Sequence, residues 1–298
     1  MKIQHLLHHQ IDKNRWNAAI LNSRVPLVYA LFDYLEIMCD GHWSALVYGD
    51  YEAVFSLPHK TKFGITYIVQ PVFCQQLGAF GSNQNVSTQD FLNAIPKRFL
   101  RVRLQLNPYF DGQSNIAQKQ KTNLLLDLSD APNYNKDCRK NLASLAKLPI
   151  TYSSHSISID ETIGVYQHAW GEANKQLSKS DYQKFSNACK RIQKQHQATL
   201  TIAAHRTDTK ELLGAAILVG FPTLEQHQER HLHYVCAGPT ETGKSLGIMH
   251  GIIDFAIQNH LGKGCFFDFE GSSIPSVAAF YQKFGAQNRP FYLFQRGL

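Results

Sequence analysis

The pattern of hydrophobic and polar residues predicts a strand-rich first half of the chain. Residues 43–48 and 51–57 flank Gly49-Asp50, a two-residue turn signal typical of a β-hairpin. Arg101, Arg103 and Gln105 alternate with apolar neighbours, as expected for a strand with one buried face. Further strands are predicted at 65–70, 101–106 and 122–128, and helices at 15–22, 29–39, 88–95 and 134–148.

The second half of the chain has its own order of predicted helices and strands. The polar stretch 151–158, after Pro149, is interpreted as a passage between two halves. A chain of 298 residues is long enough for two modest domains, and we expect them at 1–150 and 151–298. The elements predicted for the second are helices at 160–174 and 180–195, strands at 199–204, 212–219 and 231–237, a helix at 245–260, and a closing strand, helix and strand.

The closing segment carries the most informative pattern. Residues 265–270 are predicted to form a strand on which Phe266, Asp268 and Glu270 share one face. Two carboxylates then lie at the carboxyl end of the strand, where open α/β sheets bind ligands. Gly271 is predicted to form a tight turn before the next helix. The apolar stripe of that helix has i, i+3, i+4, i+7 spacing and consists of Val277, Phe280, Tyr281 and Phe284.

A resemblance to a known superfamily rests on this segment. Residues 281–286 (YQKFGA) resemble the tyrosine-x-x-x-glycine signature that closes the acyl-binding core of GNAT-type N-acyltransferases. The longer runs 267–272 and 277–286 are similar to the closing segment of the Fem-type branch, which includes the aminoacyl transferases of peptidoglycan bridge synthesis. The resemblance implies an α/β (α+β) fold with tandem GNAT-like domains, each a mixed, mostly antiparallel sheet flanked by helices.

The resemblance also implies an activity. Such a protein moves an acyl or aminoacyl group from an activated carrier, acyl-CoA (for instance acetyl-CoA) or aminoacyl-tRNA, to an amine on a small molecule or a cell-wall precursor. A carboxylate near the amine can accept its proton, so Glu270 is the first candidate base and Asp268 the second. Tyr281 matches the tyrosine that protonates the departing thiolate in many GNAT enzymes.

Each of these residues also has a structural interpretation. Tyr281 lies on the apolar stripe of its helix and is as well explained as a core tyrosine. Glu270 can cap the following helix, and Asp268 can hold the two domains together. In the first half, residues 71–78 resemble a segment that faces the cleft in some relatives, which makes Gln75 and Gln76 candidates for binding the acceptor.

Residues 238–245 (GPTETGKS) match the GxxxxGK[ST] pattern of a phosphate-binding P-loop. Only the 53 residues 246–298 follow, too few for the further strand–helix units of a P-loop domain. The GNAT resemblance offers another interpretation, a loop that cradles the CoA pyrophosphate at a helix N-terminus. The residues assigned to that loop are Thr242, Gly243, Lys244, Ser245 and Gly247. The usual Gln or Arg is replaced by Thr242, and a non-catalytic binding protein with the same fold is therefore an alternative.

Composition and charge limit the classes of partner, compartment and metal site that can be expected. The net charge of +7 favours an anionic partner, but no Lys/Arg run indicates DNA binding. No apolar run is long enough to span a bilayer and no signal peptide is evident, which predicts a cytoplasmic protein. The six cysteines include no CxxC pair. His231 and His233 share a strand face without an evident third ligand, so they are interpreted as polar residues on an exposed edge, and no metal is expected.

Overall fold

The structure is a computed structural model that describes residues 2–83, 85–111, 119–225, 228–270 and 274–297. The predicted turn at Gly271 lies outside these residues. The chain forms two compact units, described separately below. The first comprises Met1–Thr122, Thr223–Glu229 and Pro290–Leu298, and the second Asn123–Pro222 and Arg230–Arg289.

Among its described residues, the first unit contains one sheet, three α-helices and two short 3₁₀ helices, His8–Gln10 and Val28–Ala30. In chain order its elements are β1 (Ile3–Leu6), α1 (Lys13–Leu21), α2 (Phe32–Cys39), β2 (Trp43–Tyr48), β3 (Ala53–Lys62), β4 (Ile65–Val69), β5 (Ala79–Gly81), α3 (Thr88–Ala94), β6 (Val102–Leu106), β7 (Lys119–Lys121) and, from the end of the chain, β15 (Phe291–Arg296). The strand order is β1-β2-β3-β4-β6-β15-β7, with β5 beside β3. The pair β4–β6 is parallel and the others are antiparallel.

The second unit repeats this plan. Its elements are β8 (Leu124–Asp127), α4 (Lys136–Leu145), β9 (Ile150–Ser154), α5 (Ile159–Trp170), α6 (Lys179–His196), β10 (Thr199–Arg206), β11 (Leu212–Val219), β12 (Arg230–Pro239), α7 (Glu241–Leu246), α8 (Met249–His260), β13 (Cys265–Asp268), α9 (Pro275–Gln282) and β14 (Gln287–Asn288). The strand order is β14-β8-β13-β12-β11-β10-β9. Here β12–β13 is the parallel pair.

The predicted fold class of two mixed, mostly antiparallel sheets flanked by helices is confirmed. The units divide the chain differently from the expected domains 1–150 and 151–298. Strand β8 pairs with β13, and Cys138 and Leu145 of α4 are buried in the core of the second unit, so residues 123–150 belong there. The interpretation of 151–158 as a polar passage is wrong for its first residues, because 150–154 form β9 and pair with β10.

Local sequence explains where the helices of the second unit begin. Ser158 accepts a hydrogen bond from the backbone N–H of Glu161, whose carboxylate accepts in return from the backbone of Ser158. Ser178 and Asp181 form the same reciprocal pair at the start of α6. Such capping boxes satisfy backbone donors that a helix start leaves without partners. They define the first residues of α5 and α6, the two helices that connect β9 to β10.

The two faces of β12 and β13 differ in character. Leu232, Tyr234, Phe267 and Phe269 point into the hydrophobic core of the second unit, which also contains the apolar face of α8. Because side chains alternate along a strand, His231, His233 and Asp268 point to the opposite face. The parallel register places His233 directly beside Asp268. Among the described residues no helix combines the length and apolar character needed to cross a membrane.

Candidate active site

The candidate site lies where the parallel strands β12 and β13 separate. Their last paired residues are His233 and Asp268. Beyond this pair β12 continues along β11 as far as Pro239, while β13 ends and the chain leaves through Phe269 and Glu270. The end of β13 therefore places polar side chains at the point where the edge of β12 loses its neighbour.

An imidazole and two carboxylates meet at this point. Nδ1 of His233 lies 3.3 Å from Oδ2 of Asp268 and 3.1 Å from Oε1 of Glu270. Asn123 donates to Oδ2 of Asp268 through its side-chain amide at 3.2 Å, and the backbone N–H of Glu270 donates to Oδ1 at 2.8 Å. Each oxygen of Asp268 therefore accepts a hydrogen bond, and the side chain is held in one orientation.

Burial makes these contacts electrostatically strong. Asp268 is completely buried and His233 is 1% exposed, whereas the Glu270 side chain is 19% exposed. Burial alone would lower the pKa of His233, but the hydrogen bonds and charges of Asp268 and Glu270 raise it to about 9. For the Asp268 carboxyl, burial acts to raise the pKa. The hydrogen bond and charge of His233 outweigh burial, and the pKa is lowered. The pair is therefore an ion pair at neutral pH.

Glu270 occupies an unusual backbone conformation. Its φ is +57°, in the left-handed region that non-glycine residues rarely adopt. Strained residues of this kind are concentrated at functional sites, where the surrounding structure holds them in place. The hydrogen bond from the Glu270 N–H to Asp268 is one such constraint. The turn directs the Glu270 carboxylate back towards His233, although β13 itself ends two residues earlier.

Tyr281 lies on the other face of the same two strands. Its ring packs 4.7 Å from that of Phe269 and 6.1 Å, edge-on, from that of Tyr234. Burial, with smaller contributions from Tyr166 and Glu270, raises the pKa of its hydroxyl. Tyr281 thus stays protonated at neutral pH and is close enough to Glu270 to sense its charge. The ring packs against the aromatic core, and a role of the hydroxyl as an acid stays a prediction.

The segment predicted to form an open carrier-binding loop is helical. Thr242, Gly243, Lys244 and Ser245 lie within α7, and Gly247 ends that helix with a φ of +70°. The N–H groups of Gly243 and Lys244 donate to Thr240, and that of Gly247 donates to Lys244. These donors are used within the fold, so the segment is not the open loop expected from the sequence. A role in carrier binding stays a prediction and falls to the exposed side chains of Thr242, Lys244 and Ser245.

The same helix argues against the P-loop interpretation. A P-loop wraps its backbone N–H groups around phosphates, whereas here Gly238 and Pro239 still belong to β12 and Glu241–Leu246 is a helix. Gly243 is pressed against β11, because a Cβ at this position would lie 1.8 Å from the carbonyl oxygen of Leu213. This glycine is required for close packing and does not make room for a nucleotide.

The two glutamines predicted to bind substrate lie in the first unit. Gln76 is 1% exposed and donates through its side-chain amide to Oε1 of Gln75 at 2.6 Å. Their assignment to an acceptor site stays a prediction.

Two cavities of the second unit do not include the predicted site residues. One, of 340 Å³, opens at the start of β12 beside Arg230 and Lys263. The other, of 290 Å³, lies beside Phe266 and Arg289. Neither is lined by Asp268, Glu270 or Tyr281.

Sequence reasoning missed the histidines of the site. The interpretation of His231 and His233 as residues on an exposed edge is wrong, because β12 lies inside the sheet and both side chains are buried. The available signal was the pair of alternating motifs, His-x-His on one strand and Asp-x-Glu on another. Only the parallel pairing of these strands, which the sequence did not reveal, brings the two motifs to one face.

No protein-family model and no curated protein matches the chain. Solved structures do resemble it over nearly its whole length. A FemX crystal structure superposes with a TM-score of 0.66 at 11% identity, covering 100% of this chain and 98% of the other. A conserved Bacteroides thetaiotaomicron protein of unknown function gives 0.60 at 10% identity, covering 95% of each chain. L-PGS from Bacillus licheniformis gives 0.58 at 14% identity, covering 96% and 92%. The chain therefore has a Fem-type, GNAT-like fold.

Proposed function

We propose that the protein is an acyl or aminoacyl transferase that acts on an amine acceptor. The observation that carries the proposal is the pair of carboxylates at the separating ends of β12 and β13, one buried and fixed, the other partly exposed and conformationally strained. Open α/β sheets bind ligands beyond the carboxyl ends of their strands. The likeness to FemX and L-PGS supports the same reaction class, since it extends over almost the full length of each chain.

Transfer to an amine requires the amine to lose a proton as it attacks the acyl carbonyl. Glu270 is the proposed base, because it is the member of the cluster that solvent, and thus a substrate, can reach. Asp268 is a positioning residue in this scheme. It holds His233 and the backbone N–H of Glu270, so the Glu270 carboxylate stays at one place without side-chain rearrangement during the reaction.

The departing group of the carrier must be protonated. Tyr281 is the proposed acid, because it matches the tyrosine that protonates the leaving group in many GNAT enzymes, and burial, which raises the pKa of its hydroxyl, keeps it protonated at neutral pH. The proposed carrier is acyl-CoA, such as acetyl-CoA, or an aminoacyl-tRNA, and the net charge of +7 suits either polyanion. The proposed acceptor is a small molecule or a cell-wall precursor with a free amine, met in the cytoplasm.

Donor and base can be tested in one series. Purified protein is incubated with acetyl-CoA or with charged total tRNA and a panel of amines, and N-acylated products are measured by mass spectrometry. Glu270→Gln should lower turnover by roughly two to four orders of magnitude, because the amide cannot accept a proton. Affinity for the donor, measured by titration calorimetry, should be unchanged.

Glu211→Gln is the matched control, since Glu211 is an exposed glutamate of the same unit and should keep wild-type turnover. Equal turnover of Glu270→Gln and wild type would remove Glu270 from the mechanism. Failure of the wild type to bind or consume any of these donors would instead favour a binding protein that has kept the fold.

A further inference from the structure

The buried cluster contains more ligand atoms than an acid–base pair requires. His231, His233 and Asp268 each offer one nitrogen or oxygen atom, and the three atoms lie within 4.8 Å of one another. All three residues are buried, with exposures of 3%, 1% and 0%. The sequence alone predicts no metal, because it shows no third ligand near His231 and His233. The parallel register of β12 and β13 supplies it in Asp268.

We propose that His231, His233 and Asp268 bind a divalent transition-metal ion at the junction of β12 and β13, with Zn²⁺ as the ion best suited to the donors. Two imidazole nitrogens and a carboxylate oxygen are a common ligand set for zinc, and imidazole also suits iron and nickel. Calcium and magnesium prefer all-oxygen sites. The proposal is independent of acyl transfer, because it rests only on the ligand set.

The distances fit such an ion after small side-chain adjustments. Bonds of about 2.0–2.2 Å in a tetrahedral site place ligand atoms about 3.3–3.6 Å apart. Nδ1 of His233 and Oδ2 of Asp268 are already 3.3 Å apart. The other separations are no more than 4.8 Å, so rotation of the imidazole rings would bring them into this range. The rigid member is Asp268, which Asn123 and the Glu270 N–H hold through its two oxygens.

The charge of the cluster also suits a divalent cation. Asp268 and Glu270 bring two negative charges to this point, and the proton on His233 balances only one of them. A divalent ion that replaces this proton would leave both imidazoles neutral and balance both carboxylates. Oε1 of Glu270 is 3.1 Å from Nδ1 of His233, so this carboxylate lies beside the three ligands and adds negative charge there without being one of them. The hydrogen bonds to Asp268 are of the kind that orient metal-binding carboxylates. The ion would bridge two neighbouring strands.

The test uses the full chain, without a variant in its first step. Protein purified without chelators is analysed by plasma mass spectrometry, and metal-free protein is titrated with Zn²⁺ and with Co²⁺ as a spectroscopic probe. We expect one bound metal per chain, visible d–d absorption from Co²⁺, and a rise in melting temperature with either ion. No bound metal, no Co²⁺ absorption and an unchanged melting temperature would overturn the proposal.

Variants then locate the ion. His231→Gln and Asp268→Asn should lose stoichiometric metal, and Asn123→Ala should weaken Zn²⁺ binding roughly 10–100-fold through loss of the hydrogen bond to Asp268. His250→Gln removes a buried imidazole elsewhere in the second unit and should bind normally. Wild-type affinity in His231→Gln and Asp268→Asn would place the ion elsewhere and contradict the proposal. Because binding is measured without any donor or acceptor, this result is separate from the fate of the transferase proposal.

Discussion

The two units use the same strand order but differ at the point where the two parallel strands of each sheet separate. We call this point the junction of the parallel pair. In the first unit β4 and β6 end their pairing at Val69 and Arg103. The side chain of Gln70 then accepts from the backbone N–H of Gln105 at 3.2 Å and donates to the carbonyl of Cys74 at 2.8 Å. The returning chain continues the ladder, since Leu77 donates to the carbonyl of Gln105. The neutral side chain of Gln70 and the backbone of Leu77 therefore supply the hydrogen bonds at this junction.

In the second unit no returning segment of the described chain pairs with the free edge of β12. Charged side chains occupy the junction, with His233 between Asp268 and Glu270. The junction of the first unit uses only uncharged hydrogen bonds, whereas the buried ion pair of the second carries a large desolvation penalty. The second unit therefore keeps an electrostatically costly arrangement where the first unit, with the same strand order, uses uncharged hydrogen bonds. A costly buried ion pair of this kind is typical of a functional site.

Asp268→Ala should give the largest loss of stability. In the metal-free protein it leaves a buried imidazolium without its main partner, and breaking a buried ion pair costs about 3–5 kcal/mol. The free energy of unfolding from urea denaturation checks this value. A change of less than about 1 kcal/mol would show that the charges at this junction are not coupled as the distances indicate.

Gln70→Ala is the counterpart in the first unit, and its effect should be smaller. The change removes two hydrogen bonds made by a neutral side chain and leaves the N–H of Gln105 without its acceptor. Such a loss costs about 1–3 kcal/mol. Urea denaturation under the same conditions gives the comparison directly, and an effect equal to that of Asp268→Ala would remove the distinction between the junctions.

The smallest effect concerns the helix pair of the second unit and depends on pH. Asp160 of α5 accepts from Lys190, at 2.6 Å, and from Ser186 of α6, and these contacts lower its pKa. Because the folded pKa is below the unfolded value, the stabilisation is present above about pH 4 and is lost as the pH falls through the folded pKa. Asp160→Asn should cost about 0.2–1 kcal/mol at pH 7, as expected for an exposed pair.

Urea denaturation of wild type and Asp160→Asn at neutral and at acid pH tests this sign. The difference between the two proteins should shrink towards zero in acid. A difference that grows on acidification would contradict the assignment of the lowered pKa to the Lys190 and Ser186 contacts.

Local patterns predicted most of the elements. The hairpin at β2 and β3, the helices α5 and α6 with their capping boxes, and the order of β10, β11 and β12 follow from spacing and turn residues within short windows. Strand β9 was missed because it is short, largely polar and flanked by a helix end. The helix predicted at 245–260 is interrupted at Gly247, whose left-handed conformation separates α7 from α8.

The site was harder to predict because its contacts are long-range. The carboxylates of Asp268 and Glu270 could be singled out from the strand pattern, yet their partner His233 lies on a different strand. Asn123, which orients Asp268, is 145 positions away in the sequence. Only strand pairing brings these residues together, and pairing depends on tertiary structure. The left-handed turn at Glu270 could not be inferred either, since glutamate does not favour it.

The position of β15 in the sheet of the first unit constrains when that unit can fold during synthesis. Strand β15 inserts between β6 and β7 of the first unit, and Arg296 donates to the carbonyl of Phe99, 197 positions earlier. On the ribosome, the amino-terminal sheet therefore cannot close until almost all of the carboxyl-terminal half has emerged. Such distant pairing slows folding and leaves a strand edge open during synthesis. Closure of the first unit should thus follow synthesis of the second unit.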